Sequence, residues 1–295
     1  MRSSRYDIAI AWVNPVEEKF VASIKKAARA KRLSVLEITY ENTEEIFKVI
    51  EAQKIHSTTF FDRASLDDAV YFLVAEKFKG LGTRVVNDPE AVMAASDKAK
   101  LHELYKKEGL PVPETIIISS KTPRKEYNGI IQKLGIPFVL KPGHGGSGER
   151  VNVAAKNADD ISEFASDLAS DKGLAQEYVV PVVISGKAAW FRPIYAAGEV
   201  IPLWWDPGNH FYREFGDSGS EKKIAKKLET FVQTIAKLTS LDLFSCEIMI
   251  AEGNRYLIVD YANHPIDLNT QENVPDGLPP FILQKIVANL INPHK

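Results

Sequence analysis

Cysteine is almost missing from this sequence: Cys246 is the only one in 295 residues. An intrachain disulfide and a thiolate zinc cluster are thereby excluded, and a reducing, cytoplasmic setting is the expectation. Long apolar runs are missing too. None approaches the roughly 18 residues that a membrane-spanning helix needs. The opening "MRSSRYDIAIAWVNP" has arginines but too short an apolar stretch for a signal peptide, so it predicts a first strand. No charge of one sign dominates, with 37 Lys and Arg against 39 Asp and Glu. A surface for nucleic acid or anionic lipid is not indicated. There is no internal repeat and no low-complexity tract.

What is present is an alternation of strand-like and helix-like segments. "YDIAIAWV", "SVLEITY", "STTFFDR" and "TRVVNDP" have strand length. Between them run helical patterns, the first with Phe20, Ile24, Ala27 and Ala28 on one face. Strands alternating with helices predict a parallel sheet with crossovers over residues 1–95. A second unit, 96–175, opens on a helix with Ser96 as cap. It continues through "VPETIIIS", a helix with Thr122 as cap and Pro123 first, "IPFVLKP", and a helix after Asn157. A third, 176–295, is richer in strands. It has hairpins turning at Gly198 and at 252–254, a long amphipathic helix, and a short terminal one. The polar stretch from Asp206 to Lys222 predicts a long loop.

The glycine-rich stretch "VLKPGHGGSGERV" contains a formal G-x-G-x-x-G (Gly143, Gly145, Gly148). A dinucleotide fingerprint requires a helix directly after the turn. Here Val151 and Val153 alternate, so a strand follows and that reading fails. No Lys-Ser or Lys-Thr follows the last glycine, so a Walker loop fails as well. A strand–loop–strand flap remains, whose backbone N–H groups can fold over phosphates. The competing reading is an ordinary flexible hairpin. Lys141, at the exit of an apolar strand, favours the flap because it can face the same phosphates.

Four further features bear on chemistry. Glu177, in "QEYV", can accept the adenine amino group while Tyr178 and Val179 offer backbone groups to the ring edge; a solvent-facing edge-strand glutamate competes. Glu247 and Asp260 lie on the two strands of one hairpin, at matching distances from its turn, with Asn263 just beyond. Paired carboxylates repel unless a cation lies between them, and Mg²⁺ suits hard oxygen ligands. Two acids on a wet sheet face compete. Arg192 sits in an apolar, aromatic strand and needs an anion: an internal carboxylate, or a transferring phosphoryl group. Lys98, in the first turn of its helix, opposes the macrodipole unless an anion is near; a solvated surface lysine competes. Cys246 has no histidine placed near it and reads as a small core residue.

Taken in order, these motifs resemble the ATP-grasp superfamily over nearly the whole chain: "NDP…SDK" (Asn87–Lys98), "GLPVPET", "FVLKP…GGSG…V", "QEYV", an arginine strand and an acidic hairpin ending in Asn. The resemblance implies an N-terminal parallel, Rossmann-like α/β domain followed by two α+β ATP-grasp subdomains. It implies that Lys98 and Lys141 contact ATP phosphates, that Gly145, Gly146, Ser147 and Gly148 close over them, and that Gln176, Glu177, Tyr178 and Val179 hold adenine. Glu247, Asp260 and Asn263 would bind Mg²⁺ or Mn²⁺, and Arg192 would sit near the γ-phosphate. The implied activity is an ADP-forming carboxylate–amine ligase working through an acyl-phosphate on small-molecule substrates. A small-molecule kinase and a non-catalytic nucleotide-binding protein are the alternatives, and a homodimer is left open. The sequence departs from the family pattern in having "DYAN" for Glu-x-Asn, in lacking the acid that binds ribose, and in placing Trp190 where an acid often precedes the arginine. Asp267 is a further candidate ligand. Trp190, Trp204 and Trp205 are read as a substrate wall or as core.

Overall fold

The computed structural model describes residues 3–145, 148–169 and 171–292. The chain divides into two compact units. The first gathers residues up to Val92, residues 194–245 and the chain from His264 onward; the second gathers Met93–Pro193 and Cys246–Asn263.

The chain begins with β1 (Ser4–Trp12), α1 (Glu18–Ala30), β2 (Val35–Ile38), α2 (Thr43–Glu51), β3 (Ile55–Arg63), α3 (Ala69–Gly80) and β4 (Arg84–Val86). The four strands form a parallel sheet in the order β2-β1-β3-β4, as the alternation predicts. A parallel sheet is covered on both faces, which is why β1 reads as an unbroken apolar run. Ile8 and Ile10 face α1, packing with Phe20, Ile24 and Ala28. Ala9 and Ala11, on the opposite face, pack with Ile46 and Ile50 of α2 and Val74 and Phe78 of α3. At the end of β3, Arg63 is held by Glu17 at 2.5 Å, with side-chain exposures of only 5% and 10%.

A helix that the alternation does not show, α4 (Pro89–Ala95), precedes α5 (Lys98–Lys107). The cap of α5 is Asp97, not Ser96. Asp97 is the residue in extended conformation, and its carboxylate accepts from the Lys100 N–H at 3.0 Å. Then come β5 (Thr115–Ser119), α6 (Tyr127–Leu134), β6 (Phe138–Pro142), β7 (Asn152–Ala155), α7 (Ala158–Asp167) and β8 (Lys172–Glu177). The expected cap Thr122 instead accepts from the Ser119 N–H, and a 3₁₀ turn over Arg124–Glu126 leads into α6. Asn157 caps α7 in a capping box with Asp160. The strands form an antiparallel sheet in the order β5-β8-β6-β7. Its core joins Phe138, Leu140 and Ala175 to Ile130, Leu134 and Ile161 of the two helices.

Short strands β9 (Val183–Ile184), β10 (Lys187–Ala188) and β11 (Trp190–Phe191) follow, then β12 (Ile194–Ala196) and β13 (Glu199–Ile201), turning at Gly198 as predicted. β14 (Leu203–Asp206) and β15 (Phe211–Glu214) pair with each other, so part of the expected 206–222 loop is strand. Aromatic contacts explain this: the Trp205 ring lies 4.5 Å from that of Tyr212, directly across the pair. The chain ends with α8 (Gly219–Thr239), β16 (Leu243–Ala251), β17 (Arg255–Asn263) and α9 (Pro280–Ile291). The start of β16 pairs with β12, and its later residues Ile248 and Met249 pair with β11. β17 folds back on β16 across the expected turn at Glu252–Asn254. No helix among the described residues is long and apolar enough to cross a membrane.

Candidate functional site

Almost every residue singled out from the sequence lies in the second unit. The glycine loop leaves β6 at Pro142 and re-enters the sheet as β7, the strand–loop–strand arrangement expected of a flap. Its root is fixed. The Gly143 N–H donates to the Lys172 carbonyl at 2.7 Å, and the Gly143 carbonyl accepts from the Lys98 N–H at 2.8 Å. A Cβ on Gly143 would lie 2.6 Å from the Lys172 carbonyl oxygen, so close approach requires glycine there. Gly145 (φ +101°) and Gly148 (φ +72°) have open space around them; they serve the backbone conformation instead. His144 is tied to Asp171 at 2.8 Å. Gly146 and Ser147, expected to cover phosphates, lie outside the described residues.

Lys98 is the first residue of α5, and its ammonium donates to the Gly145 carbonyl. A cation at a helix N-terminus is unfavourable unless an anion compensates it. Lys141 is 8% exposed and donates to the Val259 carbonyl at 2.7 Å. Burial, reinforced by Lys98, pulls its pKa down to about 8 against the attraction of Asp260 and Glu247.

Glu247 faces inward from β16. Trp190 N–H donates to its Oε2 at 2.9 Å, and Arg192 Nη1 lies 3.5 Å from its Oε1. The register of β11 on β16, Trp190 opposite Met249 and Phe191 opposite Ile248, brings Arg192 to this carboxylate. Burial pushes the Glu247 pKa up to about 7, the charge of Asp260 pushes further, and Arg192 opposes both. The charge of Asp260 thus reaches Glu247 from the neighbouring strand. Asn263 ends β17 with its Nδ2 buried and without a hydrogen-bond partner. Two mutually repelling carboxylates suit a hard divalent cation that takes few protein ligands and completes its shell from phosphate and water, whereas the unpaired Asn263 Nδ2 is a donor and calls for an acceptor instead. Among the described residues no group of three His, Cys, Asp or Glu forms a closed metal cage.

The segment expected to hold adenine leaves the sheet at the end of β8. Gln176 is buried and donates to Thr115 Oγ1 at 2.9 Å and to the Tyr261 hydroxyl at 3.1 Å. Glu177 accepts from the Glu114 N–H at 3.0 Å and pairs with Arg255 at 2.9 Å. Tyr178 is about half exposed, and Val179 partly so. Cys246 is fully buried and its thiol is pushed well up by burial, which suits a core residue and not a nucleophile. Asp267 belongs to the first unit, is exposed, and accepts from the Asn269 N–H.

Two groups at this site were not assigned a place by sequence reasoning. Trp190 was read as wall or core, yet it holds Glu247. Its position two residues before Arg192, on the same strand face, is the signal that points to it. His102 and Tyr261 meet only in three dimensions, 159 positions apart in sequence.

This order of sheets, flap and acidic hairpin defines an ATP-grasp fold. The protein superposes on PsnB, an ATP-grasp ligase solved with a minimal precursor, with a TM-score of 0.63 at 16% identity, covering 97% of this chain and 99% of that one. It superposes on the D-alanine–D-alanine ligase of Bacillus anthracis with a TM-score of 0.65 at 14% identity, covering 97% and 96%. In sequence it is similar to the glutamate–LysW ligase ArgX of Sulfolobus acidocaldarius, 24% identical over 197 residues, 62% of this chain and 66% of that protein. It is also similar to a carbamoyl-phosphate synthase of Methanobrevibacter smithii, 29% identical over 113 residues, 38% of this chain. The chain thus spans 66% of one of these curated relatives and 27% of the other. No family model matches the sequence.

Proposed function

We propose that the protein is an ATP- and Mg²⁺-dependent ligase that joins a carboxylate to an amine through an acyl-phosphate. The observation that carries this is the placement of one buried lysine, Lys141, close enough to Glu247 and Asp260 to be influenced by both. A cation under the influence of two carboxylates, at the foot of a glycine-rich loop, is what a nucleoside triphosphate with its metal needs. Among the matched structures, PsnB is also seen with Mg and ADP, and the Bacillus anthracis ligase with ATP.

On this reading Lys98 and Lys141 bind the phosphates, and the glycine loop from Gly145 to Gly148 covers them and excludes water. Gln176 to Val179 border the adenine. Glu247, Asp260 and Asn263 hold Mg²⁺, each carboxylate oxygen of Glu247 keeping a lone pair beyond its protein contact. The metal supplies charge neutralisation at the phosphates when bound. The substrate carboxylate attacks the γ-phosphorus and ADP leaves. Arg192 stabilises the negative charge on the transferred phosphoryl group. The amine then attacks the acyl carbon, the C–O bond to phosphate breaks, and the amine loses a proton. The protein's part is positioning and electrostatics, as in phosphoryl transfer generally. The lobe over 96–175 would carry the flap and the lobe over 176–295 the metal ligands.

The test is ATP-dependent phosphate release across pairs of small acids and amines, including amino acids and short peptides. ADP and phosphate formed only when acid and amine are both present is the expected outcome. Phosphate retained on an acceptor would instead identify a kinase, and tight nucleotide binding without turnover a non-catalytic protein.

A further inference from the structure

Tyr261 directly follows Asp260 and is fully buried. Its hydroxyl lies 2.8 Å from His102 Nδ1 and 3.1 Å from Gln176 Nε2. The Gln176 amide nitrogen can only donate, so the hydroxyl accepts there, and the tautomer of His102 sets the sense of the second bond. The Tyr261 carbonyl accepts from the Tyr105 hydroxyl at 3.2 Å, and the two rings meet edge to face at 5.4 Å. Thus α5 and β8 both grip this one residue of β17. Its ring has a charged neighbour: Lys141 Nζ lies 5.5 Å from the centroid.

We infer that Tyr261 is a positioning residue for nucleotide binding: its clamped ring seats the Lys141 ammonium. The inference rests on the proposed function, in which Lys141 binds phosphate. An ammonium has three N–H groups, and the Val259 carbonyl takes one. The aromatic face stabilises the positive charge without consuming a donor direction, which leaves the remaining hydrogens for phosphate oxygens. The hydroxyl contacts fix where that face points. Gln176 and His102 therefore act on Lys141 through the ring.

The test is titration of a fluorescent ADP analogue into wild-type protein, Tyr261→Phe and Tyr261→Leu, in excess EDTA so that metal ligands do not contribute. Stoichiometry is read together with Kd. A purely structural role removes folded molecules, lowering stoichiometry at unchanged Kd. Positioning raises Kd at unchanged stoichiometry, by about threefold for Tyr261→Phe and about tenfold for Tyr261→Leu. With ATP as substrate the same loss falls on KM, not kcat. An unchanged Kd in Tyr261→Leu overturns the inference; if that variant does not fold, an unchanged Kd in Tyr261→Phe does so. Failure of the wild-type protein to bind the analogue, with or without Mg²⁺, overturns the proposed function itself.

Discussion

Lys141 is a buried amine whose charge is maintained against burial by two carboxylates. Removing it leaves Glu247 and Asp260 facing each other with less compensation. Lys141→Ala should lower nucleotide affinity and turnover at least about a hundredfold, because a charge-assisted contact in a desolvated site is lost. Calorimetric titration with ATP and Mg²⁺ checks this, and wild-type affinity in the variant would refute the site as described. Trp190 makes a subtler case. Its indole N–H is a neutral donor to a carboxylate whose pKa burial already raises. Trp190→Phe keeps the ring and removes that donor, so Mg²⁺-dependent ATP affinity should fall by about three- to tenfold. Binding measured without metal should be much less affected.

At the scale of elements, the flap depends on what anchors its root. Gly143 is wedged against the Lys172 carbonyl, and a methyl group there would force two backbones apart. Gly143→Ala should destabilise the protein by about 1–3 kcal/mol and weaken nucleotide binding, whereas open-space Gly129→Ala should be neutral or mildly stabilising. Thermal melts of the two variants with and without ATP compare them. Asp97 is a second anchor: as cap of α5 it sets where Lys98 begins the helix. Asp97→Ala should cost about 1 kcal/mol, read as a lower urea midpoint.

For the whole molecule, pH acts through His102. Burial, then the charges of Lys106 and Lys141, pull its pKa down to about 4 from an ordinary 6.5. Below 6.5 the unfolded chain takes up a proton that the folded chain refuses, so this contribution to stability is lost as pH falls from 6.5 toward 4. Above 6.5 it does not change. The full effect is about 3 kcal/mol. Urea denaturation at pH 7 and pH 4.5 should therefore show a larger loss in wild-type protein than in His102→Gln, which does not titrate.

The alternation of strand-length apolar runs with helical segments, such as that carrying Phe20, Ile24 and Ala28, was enough to predict a parallel sheet with crossovers, because burial periodicity is a local property of the chain. The strand after Gly148 likewise decided between a flap and a dinucleotide turn, and the two hairpin turns fell where Gly198 and Gly253 allow positive φ. Cap identities were less legible: Ser96 and Asp97 are both competent caps, and only the backbone conformation selects one. The clamp on Tyr261 was beyond reach altogether. Its members, His102, Thr115, Gln176 and Tyr261, come from separate elements, and each by itself reads as an ordinary buried polar or aromatic residue. A buried polar group takes its meaning from the partner that satisfies it. Local sequence therefore determined which elements form and which face each one buries, while the tertiary structure alone decided how those polar groups pair.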